Sequence, residues 1–300
     1  MNKEKRNANQ VEKVICEQFA YLPNLLVYSK CLCIKELSKF GRDIFIKLRG
    51  ELVNRKGDTE KQAALRDRMI KKRHEIKRDR YISKIRSVLK PSMRLLDIGC
   101  GTGHIIQELS RYYKSAIFVG LDISPAMLKI ATANTKEFPN VILIEGDGLK
   151  LPFPDGSFDI VITRLAEYSP KEVYRVLKSG GYFFEYGVGP EADKEIVEFF
   201  PDRIEKENFF FPRRLEEWKA EVCEDIKNVG LVVVDIEEHK ENDYYQNEEE
   251  IMNLIEMVPL VKNFDREKDK RVIDKLVEKY KEKKGIKITW HYYILEARRL

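Results

Sequence analysis

Nine residues, Leu95–Gly103, constrain the fold of this 300-residue chain more than any other part of its sequence. The first four, Leu-Leu-Asp-Ile, form a short apolar run, which is typical of a buried strand. The last five, Gly-Cys-Gly-Thr-Gly, carry three glycines, and glycine readily adopts the dihedral angles of a tight turn. An amphipathic segment, 103–113, overlaps the end of this turn. The sequence therefore predicts a strand, a glycine-rich turn and a helix in direct succession.

The same alternation of short apolar runs and amphipathic segments continues to the end of the chain. The predicted strands are 94–98, 116–121, 141–144, 158–163, 181–186, 231–236 and 286–297. The predicted helices are 103–113, 125–133, 171–177 and 215–229. The second of them begins at Pro125 behind Ser124, which is a favourable N-cap. Strands that alternate with helices indicate an α/β fold with a doubly wound, mostly parallel sheet of seven strands.

The chain divides by charge at the entrance to the first predicted strand. Residues 1–94 carry 25 Lys and Arg and 11 Asp and Glu, whereas the remaining 206 residues carry 30 and 39. The net charges are therefore +14 and −9, and such asymmetry is a sign of an anionic partner. We predict two domains, a basic helical extension or lid at 1–90 and an α/β domain at 91–300.

Each predicted domain has helical parts outside the alternating pattern. The predicted elements of the extension are a helical region at 9–50, a loop at 54–58 and a long helix at 59–89. Asp58 or Thr59 is the expected N-cap of the long helix. In the α/β domain, two polar helices broken at Pro259 form a predicted insertion, 247–284, before the last strand.

The composition argues against several classes of protein. No run reaches the roughly 18 apolar residues that span a bilayer, and the charged start leads into no apolar segment of a secretory signal. The five cysteines, at positions 16, 31, 33, 100 and 223, lack the spacing of a disulfide framework or a zinc site. We therefore expect a cytoplasmic protein with reduced thiols and no metal site.

The glycine-rich turn also limits the ligand, because ligands of open α/β sheets bind at the carboxyl ends of the strands. A dinucleotide site has the spacing G-x-G-x-x-G, whereas this turn has G-x-G-x-G and places His104 where the third glycine would stand. Asp97 stands two residues before the first glycine. Its carboxylate would repel a pyrophosphate but would accept hydrogen bonds from an ammonium group. The turn therefore favours a nucleoside that carries an amino acid.

At this point the sequence resembles the class I S-adenosylmethionine-dependent methyltransferases, in particular methyltransferase type 11. Four further segments are similar to family motifs and follow the family's order: Gly120–Leu128, Glu145–Phe153, Asp155–Val161 and Arg175–Gly181. One departure is Ser179, where the family usually has proline. The resemblance covers about residues 80–190 in detail. It implies a Rossmann-like sheet whose last strand, 286–297, is antiparallel.

The resemblance also implies a set of residues that bind S-adenosyl-L-methionine. These are Asp97, Gly99, Gly101, Gly103, Asp122, Ile123, Met127, Asp147, Gly148, Leu149 and Arg164. Asp97 would hold the ammonium group, Asp122 both ribose hydroxyls and Asp147 the adenine amino group. Gly148 and Leu149 would line the adenine ring.

The implied reaction is in-line transfer of a methyl group from a sulfonium to a nucleophile, for which the protein mainly supplies orientation and closeness. A general base is needed only when the acceptor must lose a proton early. Candidates for the acceptor side follow the fourth and fifth predicted strands: Arg164, Glu167, Tyr168, Glu185 and Tyr186. Arg164 and Glu167 have an equally good interpretation as a solvated helix start, and His104 is expected on a helix surface.

Three hypotheses for the partner remain open at this point. The first is a small-molecule acceptor under a lid, lined by Tyr244, Tyr245, Ile251, Leu254, Met257, Val258 and Phe264. The second is ribosomal or transfer RNA, whose phosphates the basic extension would track. Against it, the sequence carries neither a four-ligand zinc module nor an Asn-Pro-Pro loop after the fourth strand.

The third hypothesis is a non-enzymatic sensor that docks on a partner through its basic helices. The intact glycine-rich turn and its neighbouring acids disfavour it, so the small-molecule acceptor is preferred. The basic extension also has a plainer interpretation, because a net positive segment is attracted to an acidic domain of the same chain.

Overall fold

The computed structural model describes residues 45–47, 59–72, 77–204, 217–258 and 260–300. The chain forms two compact units. The first comprises Met1–Glu185, Ile226–Val234 and Glu296–Leu300, and the second comprises Tyr186–Asp225 and Asp235–Leu295. The predicted loop at 54–58 and the predicted helical region at 9–50, apart from residues 45–47, lie outside the described residues.

The described residues form nine strands and nine helices. The strands are β1 (Phe45–Lys47), β2 (Arg94–Ile98), β3 (Ile117–Asp122), β4 (Val141–Glu145), β5 (Phe158–Arg164), β6 (Leu177–Val188), β7 (Val232–Tyr245), β8 (Lys281–Glu282) and β9 (Gly285–Arg298). The helices are α1 (Glu60–Lys72), α2 (Lys77–Val88), α3 (His104–Tyr112), α4 (Pro125–Thr135), α5 (Pro170–Val176), α6 (Lys194–Phe199), α7 (Trp218–Asn228), α8 (Glu248–Met257) and α9 (Lys270–Tyr280).

The strands form one sheet in the order β1-β4-β3-β2-β5-β6-β9-β7, with β8 paired to β9. β2 pairs in parallel with β3 and β5, and β4 pairs in parallel with β3 and β1. The Gly180 amide donates to the Arg299 carbonyl at 2.6 Å, and the Gly189 amide donates to the His291 carbonyl at 2.9 Å. Because the partner's number falls as the first number rises, β9 runs antiparallel to β6. The prediction of a doubly wound α/β sheet with an antiparallel last strand is confirmed, but the described residues form nine strands instead of the predicted seven, because the short strands β1 and β8 pair with its edge and with β9.

Strand β1 contradicts the helix predicted at 9–50 for the three residues of that region that the structure describes. Phe45–Lys47 pairs in parallel with Leu143–Glu145 of β4. Phenylalanine and isoleucine have high strand propensity, and the open edge of a sheet offers unpaired backbone groups to a further strand. Pairing with a distant segment therefore overrides the local helical spacing.

Two helices of the first unit begin with the same Ser-Pro pair. Ser124 Oγ accepts a hydrogen bond from the Met127 amide at 3.3 Å, as the sequence predicts, and α4 begins there. Ser169 Oγ accepts one from the Glu172 amide at 3.4 Å at the start of α5. The proline that follows has a φ suited to the first helical turn and lacks only an N–H that would have no helical partner. These caps start both helices soon after a strand has ended.

The helix predicted at 59–89 is described as two helices, α1 and α2, on either side of residues 73–76, which the structure does not describe. Thr59 caps α1, as predicted. The Gln62 amide donates to Thr59 Oγ1 at 3.3 Å, and the Thr59 amide donates to Gln62 Oε1 at 2.9 Å. This reciprocal pair is a capping box.

Helix α2 is joined to the sheet by a buried tyrosine. The Tyr81 hydroxyl donates to the Thr163 carbonyl at 2.9 Å and to the Phe184 carbonyl at 3.2 Å. One side chain thus connects α2 with both β5 and β6. Helices α1 and α2 belong to the same compact unit as β2–β5, and a domain boundary at residue 90 stays a prediction.

The second unit contains the predicted helical insertion, 247–284, as helices α8 and α9. Arg266, in the segment between the two helices, is bonded to α8. Its Nε donates to Glu256 Oε1 and its Nη1 to Glu249 Oε1, both at 2.7 Å. The buried apolar residues of the two helices include Ile251, Leu254, Ile273 and Leu276. None of the helices in the described part of the chain is long and apolar enough to cross a bilayer.

Strands β6 and β7 are longer than the predicted 181–186 and 231–236, and the short elements α6 and β8 were not predicted. The added part of β7 is the polar run Glu237–Tyr245. Apolar alternation is the usual strand signal, and this run lacks it. Its extended conformation depends on pairing within the sheet, which the local pattern does not contain.

Candidate functional site

A cavity of about 430 Å³ lies in the first unit, at the carboxyl ends of β2, β3, β4 and β5. Ten of the predicted site residues line it: Asp97, Gly99, Gly101, Asp122, Ile123, Met127, Asp147, Gly148, Arg164 and Glu167. The remaining lining residues are Arg66, Ile70, Cys100, Thr102, His104, Ile105, Leu121, Gly146, Leu165 and Ala166. Parallel strands end at one edge of the sheet, and this arrangement gathers side chains that are far apart in the sequence.

The glycine-rich turn is held by the carboxylate of Asp122. Asp122 Oδ2 accepts a hydrogen bond from the Gly101 amide, and Oδ1 accepts one from the Ser124 amide, both at 2.8 Å. The side chain at the end of β3 therefore holds both the turn after β2 and the start of α4. Asp122 also lines the cavity.

The glycines of the site are required for different reasons. A Cβ at Gly99 would lie 2.1 Å from Ala166 Cβ, and a Cβ at Gly148 would lie 2.5 Å from the Glu167 carbonyl oxygen. Both glycines thus give room to the loop after β5. By contrast, a Cβ at Gly101 would meet nothing within 4 Å. Gly101 is therefore the position where the absent side chain leaves open space in the wall.

Gly103 and Leu149, predicted to bind the ligand, do not line the cavity. Gly103 has a φ of +76°, and a Cβ there would lie 3.1 Å from Ala131 Cβ and 3.3 Å from Thr135 Cγ2 of α4. Gly103 therefore forms part of the turn and allows α3 to pack closely on α4. The Leu149 amide donates to Asp147 Oδ1 at 2.9 Å, so Leu149 orients a lining carboxylate through its backbone.

Asp97 is an acid of the site whose pKa is strongly perturbed. Burial raises its pKa to about 8, the nearby charge of Asp122 acts in the same direction, and Arg164 opposes both effects. Only 2% of Asp97 is exposed. The same burial, together with the two carboxylates, holds the pKa of the neighbouring Cys100 thiol well above its usual range. The site therefore offers a carboxylate whose ionisation a bound cation would favour.

The acceptor-side candidates fall into two groups. Arg164 and Glu167 line the cavity, together with Leu165, whose φ of +56° is unusual for a residue with a side chain. Tyr168 donates from its hydroxyl to Glu185 Oε2 at 2.7 Å, and neither residue lines the cavity. The loop after β5 thus supplies the candidate residues that reach the wall.

Tyr186 does not line the cavity either. It belongs to the second unit, where its ring stacks on that of Tyr292 with centroids 4.8 Å apart. Its hydroxyl accepts a hydrogen bond from Trp290 Nε1 at 3.0 Å. Tyr186 is thus part of a buried aromatic stack, formed by strand pairing that the local sequence does not reveal.

The expectation that His104 lies on a helix surface is wrong. His104 is buried, lines the cavity and has its Nε2 at 2.9 Å from Asp67 Oδ1. As the first residue of α3, it follows the glycine-rich turn directly, and that position was the available signal. Asp67 lies in α1, so the partner of His104 was not visible in the local pattern.

Helix α1 contributes a part of the wall that the local sequence patterns do not predict. Arg66 and Ile70, which line the cavity, both belong to it. Two acids of α1 lie against basic groups of other helices: Glu60 Oε1 is 3.1 Å from Lys129 Nζ, and Asp67 Oδ1 is 2.9 Å from His104 Nε2. The attraction of the basic extension to the acidic domain stays a prediction.

Comparisons with known proteins identify a related family and related sequences. The family model described as "Methyltransferase domain" matches residues 95–181. A malonyl-[acyl-carrier protein] O-methyltransferase from Coxiella burnetii is 33% identical over 131 residues, which are 41% of this chain and 44% of that protein. A demethylmenaquinone methyltransferase from Staphylococcus carnosus is 35% identical over 116 residues, 36% of this chain and 47% of that protein.

The similarity spans about half the length of these curated relatives. Among solved structures, YcgJ from Bacillus subtilis superimposes with a TM-score of 0.52 and 22% identity, covering 73% of this chain and 96% of that one. At this identity the superposition shows the shared fold alone. The matched segment, 95–181, contains the glycine-rich turn, Asp122, Asp147 and the loop after β5.

The sheet order, the five ordered motifs and the matched family model converge on one assignment. Residues 95–181 match a methyltransferase domain, and the sheet that contains them has the fold seen in class I S-adenosylmethionine-dependent methyltransferases.

Proposed function

We propose that this chain transfers a methyl group from S-adenosyl-L-methionine to a small-molecule acceptor. The observation that carries the proposal is Asp97, a buried acid in the wall of the cavity whose pKa is raised to about 8 by burial and by Asp122. A carboxylate in such a place lacks solvation, and the ammonium group of the donor's amino acid supplies the missing positive charge.

The other wall residues fit the remaining parts of the donor. The open space at Gly101 admits a ligand close to the main chain of the turn. Asp122 would accept from the ribose hydroxyls, and Asp147 would accept from the adenine amino group. Ile123 and Met127 add apolar surface to the same wall. The wall thus offers a separate group to each chemical part of an amino-acid-bearing nucleoside.

The donor would supply an activated methyl group, because its sulfur carries a positive charge. The wall residues would bind and orient it, and a methyl transfer gains most of its acceleration from such positioning. The loop of Arg164–Glu167 would border the acceptor. Glu167 lies at the cavity wall and is the group we assign to proton removal, for acceptors that must lose a proton.

The names of the curated relatives support a small molecule as acceptor. The curated relatives are named for malonyl-[acyl-carrier protein] and demethylmenaquinone, neither of which is a nucleic acid. We therefore favour an acceptor of low molecular mass, or one presented as a small group on a carrier.

Calorimetry tests the donor site. We expect S-adenosylhomocysteine to bind the wild-type chain and to bind Asp97→Asn at least about tenfold more weakly, because a charge-assisted hydrogen bond is lost. The matched control is Asp155→Asn, since Asp155 is exposed and lies outside the cavity wall. Absence of binding by the wild-type chain would refute the assignment.

A labelling experiment tests the acceptor. The chain is incubated with methyl-labelled donor and either a small-metabolite extract or total RNA. We expect label in the metabolite fraction and none in the RNA fraction. Label that is released by ribonuclease would overturn the small-molecule acceptor while leaving the donor site intact.

A further inference from the structure

Helix α1 is joined to the glycine-rich turn through the carboxylate of Asp67. Asp67 Oδ1 lies 2.9 Å from His104 Nε2 and accepts a hydrogen bond from Asn134 Nδ2 at 3.0 Å. Asp67 Oδ2 accepts one from Lys71 Nζ at 2.7 Å. Because His104 lies in α3 and Asn134 in α4, a single side chain connects three helices.

The network continues into the turn itself. Asn134 Nδ2 also donates to the Thr102 carbonyl at 2.9 Å. Thr102 and His104 both line the cavity. Helix α1 is therefore attached to the turn through two separate contacts, one with the His104 side chain and one through Asn134 to the backbone of the turn.

The same helix supplies part of the wall. Arg66 and Ile70 line the cavity, and they are four residues apart in α1. Residues at this spacing share one face of a helix. Asp67 follows Arg66 directly, so the contact with α3 and α4 anchors the helix at the level of its wall residues.

The contacts of the Asp67 carboxylate favour its ionised form and a fixed position between the three helices. Burial raises its pKa, but the hydrogen bonds from Lys71 and Asn134 and the charge of His104 outweigh this effect, so the pKa lies below its usual value. Its side chain is 16% exposed, whereas the Glu60 and Lys129 side chains of the other α1–α4 pair are 79% and 76% exposed. Exposed ion pairs contribute little to structure, so Asp67 is the stronger anchor.

We propose that Asp67 is a positioning residue of the donor site, which holds helix α1 against the glycine-rich turn and so keeps Arg66 and Ile70 in the cavity wall. The inference rests on the proposed function, because it takes the cavity as the donor site. Under this proposal, α1 contributes to donor affinity although it lies outside the matched segment 95–181.

The first test compares Asp67→Asn with Glu60→Gln. Both changes replace an acid by its amide in the same helix, and both affect a contact with α4. We expect Asp67→Asn to weaken the binding of S-adenosylhomocysteine about tenfold, which lies within the range of coupling between contacting groups. Glu60→Gln should bind like the wild-type chain. Circular dichroism checks that both variants are folded.

The second test separates positioning from general destabilisation. The substitution Asp67→Asn is repeated in a background that carries Arg66→Ala and Ile70→Ala. If Asp67 acts by holding these two side chains in the wall, its effect on affinity should shrink from about tenfold to about twofold or less. A merely structural role would give the same loss in both backgrounds.

The outcomes distinguish the two proposals. If the wild-type chain does not bind S-adenosylhomocysteine, the donor-site assignment is overturned, and this inference with it. If the wild-type chain binds and folded Asp67→Asn binds equally well, or if the tenfold loss persists in the double-alanine background, only the inference on Asp67 is overturned.

Discussion

Replacing Gly101 by alanine isolates the contribution of one open position to ligand binding. Gly101 has a φ of +53°, and a Cβ there would meet nothing within 4 Å. The chain contains a matched position, Gly156, with a φ of +62° and equally open surroundings. Gly101 lines the cavity and Gly156 does not. The pair therefore differs mainly in its relation to the site.

Both alanine variants should lose similar stability. A left-handed backbone conformation costs a non-glycine residue about 1–2 kcal/mol, and the lower entropy of the unfolded chain offsets part of this by about 0.4–1 kcal/mol. We expect each variant to lose about 1 kcal/mol of unfolding free energy. Urea titration followed by circular dichroism measures this loss.

Only Gly101→Ala should lose donor affinity. The added methyl group would occupy space that the donor needs near the main chain of the turn, and forced overpacking costs about 1–3 kcal/mol. This corresponds to about 5- to 150-fold weaker binding of S-adenosylhomocysteine by calorimetry. Gly156→Ala should bind like the wild-type chain. Equal affinity of Gly101→Ala and wild type would refute the view that this position faces the ligand.

Three further predictions concern stability and pH. Gly99→Ala should lose more than about 3 kcal/mol in urea titration, because its Cβ would lie 2.1 Å from Ala166 Cβ, and Ala166→Gly should restore part of the loss. The pKa of Asp97 is raised from 3.8 to about 8 by burial and by Asp122, so the folded state holds this proton more tightly than the unfolded state. The ligand-free wild-type chain should therefore lose stability relative to Asp97→Asn as the pH rises from about 4 to 8, by up to about 1.4 kcal/mol per pH unit. Tyr81→Phe should lose about 1–2 kcal/mol, because a buried hydroxyl bonded to two backbone carbonyls is removed.

Each of these predictions has a control and a result that contradicts it. For Gly99→Ala, equal losses with and without Ala166→Gly would exclude the close contact as the cause. For Asp97→Asn, the free energy of unfolding is measured by urea titration at several pH values. A difference from the wild-type chain that stays constant with pH would contradict the pKa argument. For Tyr81→Phe, the control is Tyr112→Phe, since Tyr112 is 68% exposed; equal losses in the two variants would contradict the role of the buried hydroxyl.

The succession of strands and half of the residues that line the cavity could be predicted because their signals are local. The run Leu95–Ile98 is apolar over one strand length, and Ser124-Pro125 carries its own helix start. These patterns report on backbone conformation within a few residues. Once the strands are known to be parallel, the acids that end them, Asp97 and Asp122, must meet at one edge of the sheet.

The roles of individual glycines could not be predicted from the turn sequence. Gly99 and Gly101 stand in the same turn and both have positive φ. Only their three-dimensional neighbours distinguish them, since Ala166 occupies the space beside Gly99 and nothing occupies the space beside Gly101. A motif therefore indicates that glycines are required, whereas packing decides which of them leaves open space beside the backbone.

By itself, the sequence determined the succession of strands and helices, the doubly wound sheet and the acids at the ends of its central strands. The tertiary structure decided which segments from elsewhere complete the site. Arg66 and Ile70 of α1 line the cavity, His104 is buried against Asp67, and Phe45–Lys47 adds a strand at the sheet edge. These contacts join residues that lie about 40 to 100 positions apart. Apolar periodicity and capping patterns act over a few residues, so they carry no information about such pairs.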